Sequence, residues 1–313
     1  MLIFLIALVA GLAASPASPG WAAGPRVVVT VEGAGELAVV GPDGKVETIR
    51  LGGRPHNLAV SPDGRQAWIT DSSATRVWVV DLASREVRSL ATPGQGPHGV
   101  ALTPDGRRAL VAYEAGSGLA LFDAATLDLV RHVSLPSPPH NVAVAPTRPE
   151  AWLTTLGARH LLVMNLDDPA RVDRVAIAGT PHDLAFTPDG RQLWVTLWKS
   201  RRVLVLDAPG RQVIGEVEAG ETPHHIAITP DGRQAWVSNH GGGEVTVFDV
   251  AARRRIRTIQ VGQFPHHIAF SPDGRLAYVV SEGQDEVVIV EAATGTVRVR
   301  LPVGRRPHGV AVR

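Results

Sequence analysis

The chain has 313 residues and no cysteine. That excludes disulfides, thiolate metal ligands, a cysteine nucleophile and a lipoprotein anchor. An excess of charge of one sign is also missing: 31 Lys and Arg balance 30 Asp and Glu, for a net +1. No general nucleic-acid binding is therefore expected. The densest basic run, Arg253-Arg254-Arg255 with Arg257, occurs once and reads as a solvated turn and outer strand. No Ser-His-Asp constellation, phosphate loop, dinucleotide fingerprint or haem-attachment motif is present. The one leading apolar run, Leu2 to Ala14, is too short to span a bilayer as a stable helix. Gly20 and Ala22 put small residues at cleavage-site positions, so residues 1–23 read as a secretory signal peptide. A periplasmic or secreted mature chain, 24–313, is expected, monomeric and with no membrane anchor after cleavage.

What is present is a repeat. Pro-His pairs recur every 42 residues, at His56, His98, His140, His182, His224, His266 and His308. Strand-rich repeats of about 40–45 residues mark a β-propeller. Residues 223–264 show one unit. His224 to Ile228 is a short apolar strand, closed by the tight turn Pro230-Asp231-Gly232. Gln234 to Ser238, Glu244 to Phe248 and Ile256 to Val261 complete a four-stranded antiparallel meander. The turn recurs at Pro62, Pro104, Pro188 and Pro272; Ala145 to Pro149 replaces it in one repeat. Each first strand carries an alanine (Ala59, Ala101, Ala143, Ala185, Ala227, Ala269, Ala311), small enough for strands crowding a hub. Trp68, Trp152, Trp194, Trp236 and Tyr278 recur in the second strands and are assigned to packing between blades.

The two ends explain each other. The chain after the leader begins with three strands, Val27 to Thr30, Leu37 to Val40 and Val46 to Leu51. It ends on a lone first strand from Pro307 to Val312. The fold class predicted is all-β: a seven-bladed propeller whose C-terminal inner strand joins the three N-terminal strands and closes the ring.

Segments such as Pro97-His98-Gly99-Val100-Ala101-Leu102-Thr103-Pro104-Asp105-Gly106 and Ala235-Trp236-Val237-Ser238-Asn239 resemble the YVTN-family (YncE-like) β-propeller repeat. The resemblance spans the mature chain and implies an exported propeller. It leaves activity open, because one fold hosts many functions.

In a meander of this kind, the approach to the first strand shares a face with the loop between strands two and three. The seven histidines should therefore surround the channel mouth, beside Glu32, Ser72, Glu114, Leu156, Trp198, His240 and Glu282 at equivalent loop positions. Imidazole suits copper, zinc or iron, and a carboxylate widens the choice. The candidate metal ligands are the seven ring histidines with His240 and Glu282. His266 with Glu282 is also a candidate base–acid pair. The bland alternative is that each histidine simply bonds a neighbouring blade's backbone. His225 and His267 are expected to point away from their neighbours' face, because successive strand residues alternate. His132 and His160 read as surface residues.

Three function classes follow. The first is a transition-metal or small-ligand binder, which resembles in architecture only the copper-cluster domain of nitrous oxide reductase. The second is a metal-dependent lyase or hydrolase with a distant resemblance to streptogramin B lyases. The strand ends Trp68-Ile69-Thr70-Asp71 and Trp236-Val237-Ser238-Asn239 lack the glutamate of that family. The third is a non-catalytic scaffold that binds a partner protein on the face bearing the histidines.

Overall fold

The computed structural model describes residues 26–313; the leader expected over residues 1–23 lies outside them. Seven four-stranded antiparallel sheets make up the described chain. The blade over residues 223–264 consists of Pro223–Ile228, Gln234–Asn239, Glu244–Asp249 and Arg254–Gln260, within two residues of expectation. The composite blade pairs Pro307–Val312 with Val27–Val31, which pairs in turn with Glu36–Val40 and then Val46–Arg50. Its register sets Val27 opposite Val312 and Val28 opposite Ala311. In the repeat lacking the Pro-Asp-Gly turn, the inner strand shrinks to Val142–Val144.

The core lies between the blades. Trp236 packs with Val245, Val247 and Ile259 of its own blade and with Ile268, Val279, Val288 and Val290 of the next. Trp68, Trp152, Trp194 and Trp236 are all fully buried. Each indole N–H still finds an acceptor two residues back, on Gln66, Glu150, Gln192 or Gln234. Burying an indole with its polar atom satisfied removes a large apolar area from water at no hydrogen-bonding cost. The repeated alanines are only half-buried, and all but Ala59 pack against the inter-blade clusters.

A bulge sits just after Pro-His in six of the seven blades; in the other, the inner strand begins only at Val142. Pairing is in one register at Pro223 opposite Asn239 and in another from Ile226 opposite Val237. The same shift occurs at Pro55, Pro97, Pro181 and Pro265. A bulge leaves a backbone amide without a ladder partner. In five blades a hydroxyl at the end of the second strand accepts it: Thr30 from Gly309, Thr70 from Asn57, Thr154 from Asn141, Thr196 from Asp183 and Ser238 from His225. Four of these hydroxyls donate onward to the carbonyl of the next blade's ring histidine, at His56, His98, His182 and His224. The blade with Ala112 in that place uses Gly99 instead. Its amide donates directly to His140 O at 3.0 Å, and a β-carbon at Gly99 would lie 2.8 Å from that oxygen.

Candidate metal centre

The bulge fixes where the histidines go. All seven imidazoles meet in an unbroken ring, each centroid 3.7–4.7 Å from the next around the circuit. The loop residues are drawn to the same place by the backbone. The amides of Glu32, Trp198, His240 and Glu282 donate to the carbonyls of Arg306, Thr180, Thr222 and Phe264, each two residues before a ring histidine. Trp198 then stacks on His182, with centroids 4.5 Å apart and planes within 17°. His240 lies 5.5 Å from His224 and 4.9 Å from His266. Glu282 Oε2 is 2.6 Å from His266 Nε2, and Glu114 Oε1 is 2.6 Å from His140 Nδ1. Glu32 sits 3.6 Å from His56 Nδ1 and pairs with Arg54.

Hydrogen bonding divides this ring. His98 Nδ1 faces the carbonyl oxygen of His140 at 3.2 Å, which can only accept, so the proton is on Nδ1. Burial holds the His98 pKa well below the usual imidazole range, so the ring is neutral and its Nε2 accepts from His56 Nε2 at 2.9 Å. His182 repeats the arrangement. Its Nδ1 donates to His224 O at 3.0 Å, and its Nε2 accepts from His140 Nε2 at 3.3 Å. His56, His98, His140 and His182 are thus locked as two donor–acceptor pairs.

His224, His266 and His308 are not. Their Nδ1 atoms are buried without a hydrogen-bond partner, as is that of His56 beside Glu32. Burial, then the neighbouring imidazoles, hold the pKa values of His224 and His308 well below the usual range; burial takes His240 down to about 4. All three are in the neutral form that binds metals. Donor atoms of His224, His266 and His308 lie within 4.8 Å of one another, as do those of His240, His266 and Glu282. Ligands around an ion at about 2.0–2.1 Å lie at most about 4.2 Å apart, so small side-chain shifts would close either set. A third such group joins His98, Glu114 and His140, although its imidazoles are already hydrogen-bonded. Glu282 is held down to about 2 by its bond to His266, with Arg306 adding to the effect.

At the position before Pro-His, backbone strain singles out the same three blades. The residue before Pro-His has positive φ at Thr222 (54°), Phe264 (53°) and Arg306 (52°). A non-glycine residue there costs on the order of 1–3 kcal/mol, and such strain clusters at functional sites. Arg54, Pro138 and Thr180 at the equivalent position are not left-handed, and at Gly96 the strain is absent because glycine accepts it.

His225 and His267 depart from expectation. The bulge defeats simple alternation, so both belong to a second tier of side chains that touch from blade to blade and reach the ring at His308. They stack on each other at 4.2 Å, and His267 lies 5.1 Å from His308. The tier continues through Asp183, Asn141 and Asn57. Asn57 donates to Asn141, Asn141 donates to Asp183, and Asp183 Oδ2 is 3.6 Å from His225. Burial pushes the Asp183 carboxyl up to about 7 and His225 down to about 3. The hydroxyls at Thr70, Thr154, Thr196 and Ser238 were the available sequence signal for this bulge. His132 is exposed, and His160 is half-buried beside Ser137.

The fold and mouth define a seven-bladed β-propeller with an imidazole-lined channel. A family model described as cytochrome D1 heme domain matches residues 24–246, and the chain belongs to that family. A model described as a lactonase, seven-bladed β-propeller, matches residues 206–307. No curated protein matches the chain. Among solved structures it is similar to a functionally unknown protein from Desulfotomaculum acetoxidans DSM 771, with 14% identity, TM-score 0.81, and 92% of this chain and 98% of that one covered. It is also similar to Kuenenia stuttgartiensis hydrazine synthase, at 19% identity and TM-score 0.73, covering 82% of this chain and 89% of that one. Dihydro-heme d1 dehydrogenase NirN in complex with DHE gives 19% identity and TM-score 0.68, covering 91% and 74%. At these identities the likenesses show the fold alone. The imidazole donors allow a metal ion or a haem, since haem iron takes an axial histidine.

Proposed function

We propose that this is an exported propeller that binds one transition-metal ion at the channel mouth. His224, His266 and His308 are the ligands, with His240 and Glu282 available to complete the shell. The coincidence of two independent features carries the reading. Of the four blades whose ring histidines keep an unpartnered Nδ1, the three whose donor atoms converge, at His224, His266 and His308, are the three with a strained non-glycine residue before Pro-His; His56 is outside both sets. A haem would need one axial imidazole, so three converging nitrogens favour a bare ion over the macrocycle. Copper, zinc and iron all suit the donor set. Electron paramagnetic resonance of copper-loaded protein tests the ligand set: splitting from about three equivalent nitrogens is expected, and a signal without nitrogen coupling would contradict it.

A second reading is hydrolysis. The lactonase match over residues 206–307 falls on the blades of His224 and His266. There, His266 and Glu282, 2.6 Å apart, would hold and move the proton. Ester or lactone turnover that disappears in Glu282→Gln at unchanged metal content would favour this reading.

A further inference from the structure

Three residues that stand just before the Pro-His pairs of the proposed ligands are not themselves ligands: Phe264, Arg306 and Thr222. Phe264 and Arg306 stand immediately before Pro265-His266 and Pro307-His308, both in left-handed backbone. An aromatic residue with positive φ is costly, and this one is also 47% exposed as a residue. The strain is therefore not offset by burial of the side chain. The Phe264 ring lies 5.0 Å from that of His240, which puts an accessible apolar face beside the proposed ion site. Arg306 donates from Nε to Glu282 Oε1 at 3.0 Å while its side chain stays 53% exposed. The other oxygen of Glu282 is held by His266. One carboxylate thus tethers the guanidinium at the edge of the ligand triad by a single nitrogen. A guanidinium has five N–H donors in a fork that matches a carboxylate.

We infer that the site takes a carboxylate-bearing small molecule with an apolar body, its carboxylate on Arg306 and the metal, its body against Phe264. Glu282 couples the two halves of the site. An ion held by His266 draws the carboxylate of Glu282 toward itself and loosens its hold on Arg306, so the anion binds better after the metal. The inference rests on the metal-binding reading above.

The test titrates benzoate, acetate and benzamide into cobalt-loaded full-length mature protein, following the visible cobalt bands, with bound metal measured in every sample. Benzoate is expected to bind at least about tenfold more tightly than either acetate, which lacks the apolar body, or benzamide, which lacks the charge. Arg306→Gln should weaken benzoate about tenfold or more and leave benzamide unchanged, while Arg306→Lys recovers part of the loss. Phe264→Ala should weaken benzoate but not acetate. Circular dichroism of each variant confirms that it folds. If the parent protein takes up no metal, the reading of the site fails and this inference with it. If metal is bound but benzoate and benzamide bind alike, or Arg306→Gln and Phe264→Ala leave benzoate unaffected, the inference alone is overturned.

Discussion

Thr196 Oγ1 donates to the carbonyl oxygen of His224 at 2.9 Å, across the boundary between two blades. The same hydroxyl accepts the amide of Asp183 at 3.0 Å. One side chain thus satisfies the bulge of its own blade and fixes the carbonyl of the next ring histidine. Thr196→Val keeps the shape and removes both bonds, leaving a buried amide unpaired. A loss of about 1–3 kcal/mol is expected, read as a lower midpoint in urea at unchanged slope.

Gly99 makes the corresponding connection without a hydroxyl. A β-carbon there would lie 2.7 Å from Asn141 Cα and 2.8 Å from His140 O, both backbone atoms that cannot swing aside. Gly99→Ala should therefore destabilise the protein by about 2 kcal/mol or more, whereas alanine's better strand propensity alone predicts a gain. Thermal unfolding decides the sign.

Thr222 offers the opposite outcome. Its φ of 54° is strained for threonine, while its carbonyl, not its side chain, receives the His240 amide. Thr222→Gly should raise stability by about 1 kcal/mol, because glycine enters the left-handed region freely. Equal or lower stability would show that φ at this position is not a source of strain.

Asp183 gives a pH dependence. Burial raises its folded pKa from 3.8 to about 7. Its contribution is fully present below the unfolded value and is lost as pH rises through about 7, because only the unfolded chain ionises freely between these limits. The loss is on the order of 4 kcal/mol at most. Glu282, held at about 2, works in the other sense: its stabilisation is present above the unfolded value of 4.5 and disappears as pH falls toward 2. Chelated, metal-free Asp183→Asn protein should lack the decline between about pH 4 and 7 that the parent shows in denaturant titrations.

The 42-residue period was enough to predict blade number, strand order and the pairing of the two chain ends. Five of the seven blades repeat the Pro-Asp-Gly turn and all seven repeat the alanine, so local signals and ring closure agree. Alternation failed at His225 and His267, because a bulge changes the pleat where pairing shifts between Pro223 and Ile226. The division of the ring was not legible either. Seven identical Pro-His pairs look alike in sequence. Whether a nitrogen is free depends on contacts that cross blades, such as Glu114 to His140, or stay within one, such as Glu282 to His266. Left-handed backbone at Phe264 and Arg306 also leaves no mark in the residue types themselves.

Under the proposed function, only one side of the ring binds metal. Elemental mass spectrometry of untagged protein purified from a periplasm tests it most directly. Two triple variants are compared, both checked for fold by circular dichroism: His224→Ala/His266→Ala/His308→Ala and His98→Ala/His140→Ala/His182→Ala. About one equivalent of copper, zinc or iron is expected in the parent, lost in the first variant and retained in the second. Metal lost equally from both, or retained in the first, would contradict it.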